Sequence, residues 1–222
     1  MSQTIKLTTE DGVTIDAYRA EPAGKPKGSI VVLQEIFGVN AHIRRVADGF
    51  AAEGYLAIAP ALFDRAKPGV EMGYGPEDIE AGAGLVGRIS PAKTMMDVAA
   101  AVKAAAAGGK VGVVGYCWGG SLAFAAACTQ DGLAAAVGYY GGNIAKMLDQ
   151  RPKVPTMLHF GEQDAYIPVA DVDAIKAALP DVPVYTYAAG HGFNCDARGS
   201  YDGPSAAQAL GRTLAFLGQH LG

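Results

Sequence analysis

Short apolar runs and longer amphipathic stretches take turns along this chain, and that pattern predicts strands alternating with helices. Residues 4–9 and 13–19 switch between apolar and polar side chains around Asp11-Gly12, the signature of an antiparallel hairpin. Residues 29–34, 55–59, 110–114, 135–140, 156–160 and 184–187 are brief, β-branched or alanine-rich runs, as expected of strands buried on both faces of a parallel sheet. Between them, helical periodicity covers residues 42–53, 91–107, 121–128 and 205–221. Pro91 fits the first turn of the second of these helices, and Gly108-Gly109 follow its end. Residues 61–76 are rich in Gly, Pro and charge and read as a long excursion over the sheet edge. The fold class expected is α/β, a mostly parallel central sheet with helices on both faces, in one domain spanning residues 1–222.

Composition narrows the partners. Half of the 222 residues are hydrophobic and the net charge is −4, with acids and bases interspersed. No basic tract is present, so nucleic acid is not an expected partner. No apolar run reaches the roughly 18 residues that a membrane span needs, so no membrane is expected either. Met1–Lys6 lacks the charged-then-apolar pattern of a secretion signal. The three cysteines, Cys117, Cys128 and Cys195, are an odd number without framework spacing. Together these features lead to the expectation of a reducing cytoplasm and free thiols; a monomer is expected.

The chemistry concentrates at Gly115-Tyr116-Cys117-Trp118-Gly119, which lies between a predicted strand and a predicted helix. Gly-x-Nuc-x-Gly in that setting is a nucleophile elbow, a turn too tight for bulkier flanking residues. Backbone N–H groups and the helix dipole there favour both a thiolate and a developing oxyanion. A nucleophile needs a base, and the base needs an orienting acid, in the chain order nucleophile, acid, histidine. Of the four histidines, His42 opens a helix, His159 lies within a strand and His220 is near the C-terminus. Only His191 sits in a loop after a late strand, flanked by Gly190 and Gly192. Asp164 ends the preceding strand–turn segment and is the expected acid, with Glu162 as its rival; Asp171 and Asp173 fit helix capping instead. Glu35 ends another strand, where a carboxylate would oppose thiolate formation if ionised. Physics alone leaves it open between a role beside Cys117 and a surface pair with Arg44 or Arg45.

Gln34-Glu35-Ile36-Phe37-Gly38, Gly115-Tyr116-Cys117-Trp118-Gly119-Gly120, Tyr139-Tyr140-Gly141, Gly161-Glu162-Gln163-Asp164 and Gly190-His191-Gly192-Phe193 together resemble the dienelactone hydrolases (carboxymethylenebutenolidases), in order over nearly the whole chain. The resemblance implies an α/β-hydrolase fold, a Cys117–His191–Asp164 triad and an oxyanion hole from the backbone N–H groups of Ile36 and Trp118. No cofactor and no metal are expected. It further implies that Glu35 holds the resting cysteine as a thiol turned away from the histidine, until substrate displaces the carboxylate and it takes the thiol proton. The family's substrate, 4-carboxymethylenebut-2-en-4-olide, opens to maleylacetate, and two arginines grip its carboxylate. Arg65 matches the first; the position of the second, four residues after the histidine, holds Cys195, leaving Arg198 as a candidate from three residues further on. Phe37 and Tyr140 complete the expected substrate contacts, and Gly192 replaces a serine of the founding members. His191 and Cys195 alone are too few ligands for a metal site.

A small lactone is therefore the expected substrate, opened through an acyl-thioester. Two other readings compete: a carboxylesterase or lactonase acting on another ester, and a hydrolase-like thiol sensor or binding protein in which Cys117 keeps its adduct.

Overall fold

The computed structural model describes residues 1–222. Fourteen regular elements run in the order β1 (Ser2–Thr8), β2 (Thr14–Ala20), β3 (Ser29–Leu33), α1 (Ala41–Ala52), β4 (Leu56–Pro60), α2 (Pro76–Val86), α3 (Pro91–Ala105), β5 (Val111–Tyr116), α4 (Trp118–Thr129), β6 (Leu133–Tyr139), β7 (Thr156–Gly161), α5 (Val169–Ala178), β8 (Val184–Tyr187) and α6 (Gly203–Leu221). The eight strands form one sheet in the order β1-β2-β4-β3-β5-β6-β7-β8. Antiparallel pairing joins β1 to β2 and β2 to β4, and every other pair is parallel. This is the α/β-hydrolase arrangement.

Both faces of the sheet are covered, which is why its strands read as continuous apolar runs. Along β3, Ile30 and Val32 face a core shared with Ile43, Ala47 and Phe50 of α1 and Phe216 and Leu217 of α6. Val31 and Leu33 face the opposite core, with Val98, Ala101 and Val102 of α3 and Ala123, Ala126 and Ala127 of α4. The alanines let α3 and α4 lie close on the sheet. Asn40 caps α1 by accepting from the Ile43 N–H (3.2 Å), and Asp202 caps α6 by accepting from Ser205 (2.8 Å).

One element escaped the periodicity. Residues 76–86 form α2, although Gly82 and Gly84 weaken its helical signal and only Gly82 and Leu85 are buried. Pro76 occupies its first turn, with Glu77 and Asp78 beside it complementing the helix dipole. No helix is long and apolar enough to cross a membrane.

Candidate active site

The parallel strands β3, β5 and β7 deliver their C-terminal ends to one edge of the sheet, and the reactive side chains gather there. Cys117 is the hinge between β5 and α4, with φ 56° and ψ −115°. A left-handed φ at a non-glycine residue costs about 1–3 kcal/mol, so the fold must impose it. It does so by close packing: a Cβ on Gly115 would lie 1.8 Å from the Gly119 carbonyl oxygen, and one on Gly119 would lie 2.3 Å from that of Leu33. The Cys117 N–H donates to the Tyr139 carbonyl (3.0 Å), fixing the turn to β6.

His191 reaches the same point from the loop after β8. Its Nε2 lies 3.1 Å from Cys117 Sγ, and its Nδ1 lies 2.7 Å from Asp164 Oδ2. The other oxygen of Asp164 accepts from the backbone N–H groups of Tyr166 (2.8 Å) and Ile167 (3.1 Å). Asp164 is thus held on both sides, and it fixes the ring tautomer with a proton on Nδ1 and a lone pair toward sulfur. Ser200 Oγ donates to the His191 carbonyl (2.6 Å), anchoring the loop from behind. Burial disfavours the charged ring, but hydrogen bonds to Asp164 and Cys117, with their charges, outweigh it and raise His191 to about 9. Glu162, the rival acid, is exposed and accepts from Thr186 Oγ1 (2.7 Å). Of the remaining histidines, His159 bonds Tyr187 and Thr213 inside the core, His220 packs on Phe216, and His42 on α1 lies 3.1 Å by its Nδ1 from Asp196 Oδ1.

These groups open onto a cavity of about 390 Å³, toward the small-ligand end of the usual range. Cys117, His191, Ile36, Trp118, Phe37 and Arg198 line it. Trp118 is the first residue of α4, where backbone N–H groups lack intrahelical partners. Its indole stacks on Phe63 at 5.3 Å. Sequence reasoning missed several wall residues: Ile79, Ala83 and Val86 come from α2, while Ser121, Asn143 and Lys146 line the α4 side. The i, i+4, i+7 spacing of the first three was a usable helical signal, obscured by the intervening glycines.

Glu35 is buried, at 1 % exposure, so the surface pairing with Arg44 or Arg45 does not exist. Arg44 instead bonds Glu71, and Arg45 bonds Asp196. Glu35 Oε1 accepts from Arg198 Nη1 (3.3 Å). This differs from the resting arrangement implied by the resemblance: the sulfur faces His191, and Glu35 is engaged by a guanidinium, which attracts a carboxylate more strongly than a neutral thiol does. Arg198 also lies 5.7 Å from the ring centres of Phe37 and Tyr74. Gly192 makes room for it. With φ +77° and a hypothetical Cβ 2.8 Å from Arg198 Nη1, a side chain at that position would be strained and would require the guanidinium to shift.

Two expected substrate contacts are corrected. Arg65 does not line the cavity; its guanidinium is consumed by Asp97 (Nε to Oδ1 and Oδ2, 2.9 Å each) and Asp11 (Nη1 to Oδ2, 2.8 Å). Tyr140 is fully buried and packs edge-on against His191 at 5.1 Å, so it supports the ring from behind rather than facing a ligand. The other two cysteines are buried free thiols. Burial raises Cys128 to about 11, and burial together with nearby Glu35 does the same to Cys195.

The family model of the dienelactone hydrolase family matches residues 15–221. The chain belongs to the dienelactone hydrolase family. This family member is 37 % identical to a Synechocystis sp. protein assigned as a carboxymethylenebutenolidase, over 93 % of this chain and 92 % of that one. It is 35 % identical to the carboxymethylenebutenolidase of Pseudomonas putida, over 98 % and 96 % of the respective chains. Among solved structures, a Klebsiella pneumoniae protein assigned as a dienelactone hydrolase superposes with a TM-score of 0.87 at 30 % identity, covering 99 % of both chains. This dienelactone hydrolase family member is accordingly a hydrolase acting on lactone or ester bonds.

Proposed function

We propose that the chain opens a small, carboxylate-bearing lactone of the dienelactone type through an acyl-thioester on Cys117. The observation that carries this reading is the strained Cys117 with its sulfur 3.1 Å from His191 Nε2, at the wall of a cavity that also presents Arg198.

The sulfur attacks the lactone carbonyl carbon and its proton passes to His191. The backbone N–H groups of Ile36 and Trp118 receive the carbonyl oxygen as it gains charge. Collapse of the tetrahedral species breaks the ring C–O bond, and the His191 imidazolium protonates the departing oxygen. Water then attacks the thioester, gives a proton to His191 and expels the thiolate, which recovers that proton from the imidazolium and returns the site to its starting state. Asp164 stabilises the imidazolium in both halves without itself taking the proton. Arg198 supplies positive charge for the substrate carboxylate, and Glu35 holds that guanidinium against the wall while remaining close enough to compete for it.

The test is hydrolysis of 4-carboxymethylenebut-2-en-4-olide and of p-nitrophenyl acetate by the wild type and Cys117→Ala. The expected loss in kcat is about 10⁴–10⁶-fold on both substrates, as for removal of other acyl-transfer nucleophiles. Wild-type rates in the variant would overturn the assignment of Cys117. A second reading, a carboxylesterase of neutral esters, is favoured by the apolar wall of Ile36, Phe37, Ile79, Ala83, Val86 and Trp118. A higher kcat/KM for neutral aryl esters than for the anionic lactone would select it.

A further inference from the structure

Behind the cavity wall lie two side chains that the hydrolytic reading does not use, His42 and Cys195. A carboxylate oxygen of Glu35, a ring nitrogen of His42 and the sulfur of Cys195 all lie within 4.8 Å of one another, and all three residues are buried. Exposures are 1 % for Glu35, 4 % for His42 and 0 % for Cys195. Glu35 Oε2 and His42 Nε2 have no protein hydrogen-bond partner. An unpartnered carboxylate oxygen and an unpartnered ring nitrogen within one buried cluster are costly unless each finds a partner.

The surroundings suit a cation rather than a chance juxtaposition. His42 Nδ1 is 3.1 Å from Asp196 Oδ1, a carboxylate that accepts a hydrogen bond from Nδ1–H and leaves the Nε2 lone pair as the metal-binding atom. Carboxylate, imidazole and metal in series is the usual way a protein orients a histidine ligand. Asp196 is in turn held by Arg45 at 2.7 Å. One thiol, one imidazole and one carboxylate select a borderline-soft divalent ion over Mg²⁺ or Ca²⁺, which prefer oxygen alone.

We propose that Glu35, His42 and Cys195 form a three-ligand site for a zinc-class divalent cation. Zinc bonds of about 2.0–2.3 Å space the ligands about 3.3–3.7 Å apart, so from atoms within 4.8 Å of one another side-chain rotations need close the spacing by at most about 1.5 Å. The Cys195 S–H bond breaks, its proton goes to solvent, and the sulfur lone pair forms the bond to the ion; no electron is transferred. The route in avoids the nucleophile, because His42 and Asp196 line a separate surface cavity of about 500 Å³. Arg198 holds Glu35 by Oε1, so an ion on Oε2 pins the carboxylate without taking it from the guanidinium.

The experiment is titration of the chelator-treated full chain with Co²⁺, followed by Zn²⁺ competition. One equivalent should bind with a thiolate-to-cobalt charge-transfer band that Zn²⁺ abolishes. Cys117→Ser should keep the band, which separates this site from the catalytic thiol. Cys195→Ser should lose it, His42→Gln should weaken binding at least about 100-fold, and Asp196→Asn about 10–100-fold. Absence of saturable binding overturns the proposal, as does a band that depends on Cys117 and survives Cys195→Ser. Because Cys195 is fully buried, His42→Gln is the second arm: a folded His42→Gln protein with wild-type cobalt affinity overturns the proposal whatever Cys195→Ser does.

Discussion

Two ionic clusters in this molecule use similar groups and end in opposite situations. In the cluster of Arg65, Asp11 and Asp97, the guanidinium is bound by carboxylates on both of its edges; the Arg65 side chain is 6 % exposed and that of Asp97 is fully buried. It ties the β1–β2 turn, the 61–75 loop and α3 together. In the cluster of Asp164, His191, Cys117, Glu35 and Arg198, each chain of contacts is fixed at its inner end and open at its outer one. Asp164 is held by backbone, while Cys117 and Arg198 line the cavity. Saturated charge makes structure, and charge with one unspent valence makes a site.

Breaking the inner end of the open cluster should show the largest effect. Asp164→Asn retains an oxygen for the Tyr166 and Ile167 N–H groups, so the fold should survive with little change in Tm. The ring tautomer should not survive, and kcat on either substrate should fall by about 10⁴-fold. Because the hydrogen bond to Asp164 raises the His191 pKa, and His191 must be neutral to take the thiol proton, the rise of kcat/KM with pH expected near the wild-type value of about 9 should move to lower pH in the variant. A variant with wild-type kcat would remove Asp164 from the catalytic reading.

Breaking the closed cluster should invert that outcome. Arg65→Met leaves Asp97 as an uncompensated buried carboxylate, a change that costs about 3–5 kcal/mol. Chemical denaturation should show this loss, while kcat per folded molecule stays at the wild-type level. If Arg65→Met instead raises KM for the anionic lactone without loss of stability, Arg65 contacts substrate and its charge is not spent on structure.

The outer end of the open cluster should respond more modestly. Arg198→Gln removes one charged hydrogen-bond donor, worth about 1.5–3 kcal/mol, so kcat/KM for a carboxylate-bearing lactone should fall roughly 10–100-fold. A neutral aryl ester should lose much less. Equal losses on both substrates would mean that Arg198 holds Glu35 in place but does not recognise the anion.

The difference between the two arginines was not legible in the sequence, and the reason is physical. Arg65 sits at a position that resembles a substrate contact, but its fate depends on Asp11 and Asp97, which lie 54 and 32 residues away and meet it only in the folded chain. Cys195 was equally opaque, since its neighbours His42 and Glu35 come from α1 and the end of β3. By contrast, the elbow, the Asp11-Gly12 hairpin and the strand that ends in Gly161 were legible, because tight turns and double-sided burial each leave a local mark. Helix α2 fell between these cases: its cavity-facing Ile79, Ala83 and Val86 keep helical spacing, but glycines and an exposed outer face erase the amphipathic contrast.

The smallest effect separates two histidines rather than two arginines. His191 is raised to about 9, so its charged form adds stability that is complete below pH 6.5 and fades as pH climbs through 9. His159 behaves oppositely. Burial, with the charge of Arg212, pushes it down to about 3, and it stays neutral between Tyr187 and Thr213. The unfolded chain takes up a proton at this position below about pH 6.5 and the folded chain does not. Stability from the buried neutral ring is therefore present at neutral pH and is lost as pH falls from 6.5 toward 3. At pH 5.5 that loss is about 1.4 kcal/mol, to be read as the difference in acid slope between wild type and His159→Gln in denaturant titrations at pH 5.5 and 7.5. Identical slopes would mean that the core admits a charged imidazole there, and that the contrast between a sealed ring and a working one is not set by burial.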